Sequence, residues 1–394
     1  MRVLSHAALA VLALVIATWS WAATSAAHES VQAVLARLTP AQRAAYDAYH
    51  AARLEFERQT RAYWHRVEAK RDARRARRML GQAYAAQDYV HTFPPKYQGP
   101  ELPADVARML AEARGPAERA PPLPNVADIL AYAKERYGFV PTLTTEHDFK
   151  RRYAREALAL GLTKDQVVRI YALETGGLGT YDMQSGISPG TRQGNPISSA
   201  LGYAQLLHAN STSEFAKHGD SFIRRLLAMA AQRSTPPQQA HALRAKAAVL
   251  RRMLHVARSI PDEWSAHVRF GGSPAGLGIH ALNLDADVGP WLQVLKLRGL
   301  KESAARAGVS HLSGAQIELM NLAGPRTGLE MMTRIGATMP TPNFFSEGGY
   351  NRNPIVRDKT AAELMQALEA RMEANIKKAG SVEFAQVFDE LVRR

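Results

Sequence analysis

Apolar residues recur at helical spacing along most of the chain, and long β-branched runs are rare. Leu, Ala, Arg and Glu are the residue types that repeat in this pattern. Spacings of three and four residues place apolar side chains on one face of a helix. The pattern therefore predicts a mainly α fold. With 394 residues, of which 46% are hydrophobic, the chain can form one large domain or two ordinary ones with a sizeable core.

The clearest helix is predicted in residues 162–177, LTKDQVVRIYALETGG. Thr163 and Gln166 have the spacing of a capping box at its start. Gly176 and Gly177 follow its last turn, where a left-handed residue commonly ends a helix. Positions i, i+3, i+4 and i+7 of one face are occupied by Val167, Ile170, Tyr171 and Glu174.

Glu174 is the unusual member of this face, because it is a carboxylic acid in the last turn of an otherwise apolar stripe. Burial disfavours the charged form, and the partial negative charge of a helix C-terminus acts in the same direction. Both effects raise the pKa of the carboxyl, so it can keep a proton near neutral pH and act as a general acid. The alternative is a glutamate that turns to solvent or pairs with an arginine.

The first residues predict export. A short positive start at Arg2 is followed by the apolar run AALAVLALVIATW and by the small residues SWAATSAA. This order predicts a signal peptide in residues 1–27, cleaved after Ala22 or Ala27, and a periplasmic location. The apolar run is short for a membrane span. An uncleaved anchor is the alternative.

Composition divides the rest of the chain into four segments. Residues 28–92 read as a basic helical N-terminal region, and residues 93–125 are a proline-rich linker containing FPPKYQGPELP and APPLPN. A compact helical domain is expected in residues 126–355, interrupted by a glycine-rich loop at 270–278. An amphipathic helix is expected in residues 356–394.

The net charge of +14 attracts polyanions. For an exported protein these are the carboxylates of peptidoglycan and anionic lipid surfaces, so no nucleic acid partner is predicted. Residues 66–78 carry the densest positive run, formed by Arg71, Arg74, Arg75, Arg77 and Arg78. This run is either a solvated helix face or an arm that binds the anionic cell envelope. The absence of cysteine excludes disulfides and thiolate catalysis.

Two later motifs place polar side chains among small ones. In ISSALGYAQLLHANS, residues 197–211, Ser198 or Ser199 can cap a helix that starts at Ala200. The small residues leave room for a glycan close to the backbone, and Gln205 offers both a donor and an acceptor. In LSGAQIELMNLAGP, residues 312–325, a second capping box formed by Ser313 and Gln316 precedes a helix whose buried stripe includes an amide, Asn321. A buried amide needs partners, either a ligand or the backbone of a nearby loop.

The order of these motifs, with NFFSEGGY at residues 343–350, resembles the soluble lytic transglycosylases, which share a fold with goose-type lysozyme. That family reads Glu-Ser, Gly-Leu-Met-Gln, Tyr-Asn-Ala-Gly and a final tyrosine. The resemblance makes Glu174 the catalytic acid. The implied substrate-binding residues are Thr175, Ser199, Gly202, Tyr203, Gln205, Asn321 and Tyr350. It also implies a lysozyme-like domain in residues 126–355 with an insertion within 213–300. The chain departs from the family pattern at Gly-Tyr-Ala-Gln and at Leu322.

The resemblance implies cleavage of peptidoglycan between N-acetylmuramic acid and N-acetylglucosamine by a single glutamate, without cofactor or metal. A non-catalytic protein that binds peptidoglycan or acts as a scaffold is one alternative. An inverting glycan hydrolase is another, with Asp182 as the second carboxylate. Asp182 is otherwise a residue that stabilises its own turn.

Overall fold

The computed structural model describes residues 31–114, 122–189 and 191–393, and these are mainly α-helical, which confirms the predicted mainly α fold. Within these ranges there is no β-strand, and only isolated bridges between extended residues occur. The predicted signal peptide, residues 1–27, lies outside the described part of the chain. No helix within the described ranges is both long enough and apolar enough to span a bilayer.

The chain forms two compact units. In the described residues the small unit comprises 31–57 and 96–114, and the large unit comprises the rest. Three helices contribute to the small unit: α1 (Val31–Ala36), the first part of α2 (Pro40–Met79) and α3 (Ala104–Arg114). Its core is formed by Val34 of α1 with Val106, Leu110 and Ala113 of α3.

The prediction of a proline-rich linker in residues 93–125 is therefore partly wrong, because this segment contains α3. Pro103 directly precedes the first turn of α3, where the missing N–H of proline does no harm. Proline composition predicted an extended segment, but the apolar side chains of α3 gain more by packing against α1.

The large unit contains the second part of α2 and thirteen further α-helices of the described chain. They are α4 (Val126–Tyr137), α5 (Glu146–Ala159), α6 (Lys164–Thr175), α7 (His208–Ala231), α8 (Pro237–Arg258), α9 (Trp264–Gly271), α10 (Pro274–His280), α11 (Val288–Arg306), α12 (Gly314–Ala323), α13 (Pro325–Met331), α14 (Glu347–Arg352), α15 (Ala361–Asn375) and α16 (Ala379–Val392). Short 3-10 segments lie at Ala86–Asp88, Ala281–Leu284, Gly336–Thr338, Thr341–Asn343 and Pro354–Val356.

Two hydrophobic clusters make the core of the large unit. One joins α5, α6, α12, α15 and α16 around buried aromatic side chains such as Tyr171 and Phe384. The other joins α4, α7, α8 and α10 around Phe215 and Phe222. The helix α11 contributes to both clusters, through Val294 to the first and Leu292 to the second.

Two predicted elements differ from the structure. The glycine-rich segment 270–278 is not an open loop, since it holds the end of α9 and the start of α10. Ser273 caps α10 by accepting a hydrogen bond from the N–H of Gly276. The C-terminal segment 356–394 contains two helices, α15 and α16, in place of the single predicted helix.

The arginine run of residues 66–78 is largely used inside the fold, so its interpretation as a solvated helix face is wrong for its central member. Arg74 is buried, and its Nε donates to Glu330 Oε1 at 2.7 Å. Arg78 donates to the other oxygen of Glu330 at 2.6 Å, and Arg71 donates to the backbone carbonyl of Phe345. Arg75 remains exposed and pairs only with a carboxylate on its own helix.

The two glycines after α6 differ in the space around them, which gives a test of this helix end. Both have positive φ, 65° at Gly176 and 74° at Gly177. A Cβ at Gly176 would meet no atom within 4 Å, whereas at Gly177 it would lie 2.3 Å from the carbonyl oxygen of Asn375. We expect Gly176→Ala to cost about 1–2 kcal/mol from the left-handed backbone alone. Gly177→Ala should cost a further ~1–3 kcal/mol from overpacking.

Urea unfolding of both variants and the wild type measures this difference. Equal destabilisation by the two alanines would contradict the close approach of Gly177 to the segment that joins α15 and α16.

Candidate functional site

The helix that carries Glu174 forms as predicted. Thr163 and Gln166 complete the capping box at the start of α6, and Gly176 ends the helix in the left-handed conformation. Val167, Ile170 and Tyr171 are buried. Glu174 shares their face and is half-buried, because its carboxyl lies on the wall of a cavity.

This cavity has a volume of about 540 Å³ and belongs to the large unit. We call it the Glu174 cavity. Its wall combines apolar side chains with two carboxylic acids, several amides and two cations. The polar members are Glu174, Ser185, Gln205, Asn210, Lys296, Glu318, Asn321, Asn353 and Arg371. A mixed wall of this kind suits a ligand that has both apolar faces and many hydroxyl or amide groups.

A second carboxylic acid, Glu318, was not predicted from the sequence and is the main addition that the structure makes to the site. It lies on α12, which begins with the predicted capping box of Ser313 and Gln316. Glu318 is 4% exposed, and its Oε1 accepts a hydrogen bond from Asn321 Nδ2 at 3.3 Å. The sequence did contain a signal, since Glu318 and Asn321 lie four and seven residues after Gly314 and so share one stripe of the helix.

The carboxyls of Glu174 and Glu318 are neighbours on the cavity wall and act on each other at short range. Burial, which disfavours ionisation, raises the pKa of Glu174 to about 7. Burial and then the neighbouring charge of Glu174 raise the pKa of Glu318 well above its ordinary value. Near neutral pH the pair therefore holds at least one proton, which is the requirement for an acid catalyst.

Two cations complete the polar wall. Lys296 of α11 is half-buried, and burial lowers the pKa of its ammonium group, while Glu318 acts in the opposite direction. Arg371 of α15 is exposed and lowers the pKa of Glu174 slightly against the larger effect of burial. A carboxylic acid pair that keeps a proton beside two cations gives this wall a positive balance, which favours an anionic ligand.

The segment after Ser199 differs from the prediction. No helix begins at Ala200; residues 200–207 form turns, and α7 begins at His208. Gly202 has φ of +75° and donates its N–H to the carbonyl of Met183 at 3.0 Å. Gln205 has φ of +40°, and its side-chain amide donates to the carbonyl of Gly202 at 2.8 Å. A positive φ is unstrained at glycine but costs energy at Gln205, whose side chain this tight loop places on the cavity wall.

The structure thus brings together three predicted site residues, Glu174, Gln205 and Asn321, on one cavity. Thr175 is buried and donates its hydroxyl to the carbonyl of Tyr171 at 2.6 Å. Ser199 accepts from the N–H of His208 at 3.3 Å and so supports the start of α7. Neither side chain is part of the described cavity wall.

Two predicted tyrosines lie in the core. Tyr203 donates its hydroxyl to Glu146, and its ring packs against those of Tyr171 and Phe384. Tyr350 packs edge-on against Trp64, and its hydroxyl accepts from the backbone N–H of residue 358 at 2.9 Å. These positions support the walls of the fold and do not line the Glu174 cavity as described. Gly202 also lies behind that wall, since a Cβ there would be 2.4 Å from Gln293 Nε2.

Asp182 lines a different recess, of about 370 Å³, together with residues of the 187–196 loop. One of its carboxylate oxygens accepts from the hydroxyl of Thr180 at 2.7 Å, and the other pairs with Arg192 at 2.9 Å. These contacts tie the Asp182 side chain to Thr180 and to the loop that carries Arg192.

Comparisons of the chain with protein-family models, curated proteins and solved structures give no match. In the described ranges no group of three or more acidic or histidine side chains is placed to hold a metal ion. The residues of the Glu174 cavity supply carboxyl groups, amide groups and cations around one space.

Proposed function

We propose that the protein cleaves the glycan strands of peptidoglycan, as a lytic transglycosylase with a lysozyme-like catalytic domain, and that Glu174 is the acid and base of the reaction. The observation that carries the proposal is a carboxyl with a pKa of about 7 on the wall of a cavity that also presents Gln205 and Asn321. This is the arrangement that the motif resemblance implies. The proposed location is the periplasm, where this polymer is found.

The proposed reaction needs one proton-transfer group on one side of the sugar. Glu174 donates its proton to the glycosidic oxygen as the bond to C1 of N-acetylmuramic acid breaks. The acetamido group of the substrate stabilises the cation that forms. The 6-hydroxyl of the same sugar then attacks C1 and returns its proton to Glu174, giving a 1,6-anhydro end without consuming water.

The spacing of the two cavity carboxyls supports this route over hydrolysis by a carboxylate pair. Glycosidases that use two carboxylates hold them about 5–5.5 Å apart for retention or about 6.5–9.5 Å apart for inversion. Glu174 and Glu318 are neighbours that act on each other at short range, so the pair is not arranged with a sugar and an attacking water between its members. The other acid considered, Asp182, is paired with Arg192 in a separate recess.

The cations of the cavity support an anionic glycan as substrate. Lys296 and Arg371 line the wall beside the acid pair. N-acetylmuramic acid and its attached peptide carry carboxylates, which these side chains can meet by charge-assisted hydrogen bonds. With a neutral glycan they would make only the weaker hydrogen bonds to uncharged acceptors.

Analysis of the products tests the proposed reaction directly. We expect mass spectrometry of digested peptidoglycan to show 1,6-anhydro-muramic ends, lighter by one water than the reducing ends that a hydrolase produces. A digest made with a hydrolytic lysozyme supplies the reference. Reducing ends alone would favour an inverting hydrolase, and binding without cleavage would favour a non-catalytic wall-binding protein.

A further inference from the structure

Glu318 offers a chemical group that the proposed one-glutamate reaction does not use. Its carboxyl is buried on α12 and lines the same cavity as the carboxyl of Glu174 on α6, on which it acts at short range. Two ionised carboxylates cannot hydrogen-bond to each other, because both are acceptors only. Their proximity on one wall therefore favours a form of the pair in which at least one carboxyl carries a proton.

The hydrogen bonding of Glu318 supports the same conclusion. Its Oε1 accepts from Asn321, while its Oε2 is buried and meets no donor among the described residues. An ionised oxygen in that position would lose its water without compensation, at a cost of roughly 1–3 kcal/mol or more. A protonated Glu318 that donates to Glu174 removes this cost.

Charged groups on the surrounding helices do not change this balance. Arg371 of α15 favours the ionised form of Glu174, and Lys296 of α11 favours that of Glu318. Glu214 and Lys217 of α7 act on Lys296 with opposite signs. For both acids, burial remains the largest effect on the pKa.

We infer that Glu318 is a positioning residue of the reaction, whose protonated carboxyl donates a hydrogen bond to Glu174 so that the two carboxyls work as a single acid–base unit. The inference rests on the proposed function. When Glu174 gives its proton to the glycosidic oxygen, the O–H of Glu318 donates a hydrogen bond to the carboxylate that remains. When the 6-hydroxyl closes on C1, its proton returns to Glu174, so the pair ends with the protons it began with.

The pH profile of cleavage by Glu318→Gln tests this role of Glu318. In the wild type, we expect the rate to fall in two steps as the pH rises. The first fall in rate accompanies the loss of the proton of Glu174. The activity that remains disappears only when Glu318 also loses its proton. The glutamine has no titratable proton, so the variant should show a single step and no residual activity above it. Glu302→Gln, on the exposed face of α11, is the matched control and should keep both steps.

Infrared spectroscopy of the full chain gives a second readout that does not depend on activity. At a pH well above the pKa of Glu174, the wild type should show the C=O band of a protonated buried carboxyl, and Glu318→Gln should lack it. A rate lowered equally at every pH, or a wild type without that band, would overturn the inference. An inactive wild type that shows the band would reject the proposed function and leave the protonated Glu318 in place.

Discussion

Replacement of Glu174 by glutamine is expected to lower the rate of glycan cleavage by about 10²–10⁴-fold, the contribution typical of a general acid. Glutamine preserves the shape of the side chain and its place on the cavity wall but has no proton to transfer. The rate of release of soluble fragments from purified peptidoglycan measures the effect. Because burial raises the pKa of Glu174 to about 7, wild-type activity should fall as the pH rises through that value.

Glu390→Gln is the control for this variant, since Glu390 is exposed on α16 and does not line the cavity as described. It should cleave at the wild-type rate. Equal activity of Glu174→Gln and the wild type would reject Glu174 as the acid. The pH dependence of the stability of the wild type and of Glu174→Gln provides an independent check that Glu174 is buried.

The folded state holds the proton of Glu174 at pH values where the unfolded chain has lost it. Stability from this group is therefore complete at acidic pH and declines as the pH rises through the ordinary glutamate pKa towards 7. The glutamine variant lacks that part of the decline, so its melting temperature should fall less over this range. A decline equal to that of the wild type would mean that the carboxyl is solvated in the folded protein.

Local patterns predicted the elements that carry the site, because those elements depend on nearby residues. The capping boxes at Thr163 and Ser313 and the left-handed end at Gly176 each involve residues within a few positions of one another. The same is true of the stripes that bear Glu174 and Asn321. Such features can be predicted from a single sequence.

The set of residues that form the site was harder to predict from the sequence, because it depends on contacts between distant segments. Glu318 became part of the acid pair only because α12 packs beside α6, 144 residues earlier in the sequence. Tyr203 matches a position of the family motif, yet its hydroxyl donates to Glu146 and its ring packs in the core. A cap at Ser198 or Ser199 predicted a helix from Ala200, but the backbone contacts of Gly202 and Gln205 hold residues 200–207 in turns.

Arg74 is the second residue for which we expect a large effect, this time on stability. Its guanidinium group is 1% exposed and donates to Glu330 at 2.7 Å, to the carbonyl of Asp88 at 2.9 Å and to the carbonyl of Asn343 at 2.8 Å. It also lies 4.1 Å from the centre of the Tyr89 ring. Methionine would fill part of the space but would leave Glu330 short of a partner and two carbonyls without their donor. Removing one member of a buried ion pair typically costs about 3–5 kcal/mol, which we expect for Arg74→Met.

Arg75→Met is the matched control, because Arg75 is the next residue of α2 and its side chain is 58% exposed. A surface substitution of this kind should change the free energy of unfolding by no more than about 0.5 kcal/mol. Urea unfolding of the two variants and the wild type measures both values. Similar small losses for Arg74→Met and Arg75→Met would show that the arginine run is a solvated face after all. A selective loss at Arg74 would show that part of the basic charge of this protein stabilises the fold, so only the exposed remainder is free to meet an anionic surface.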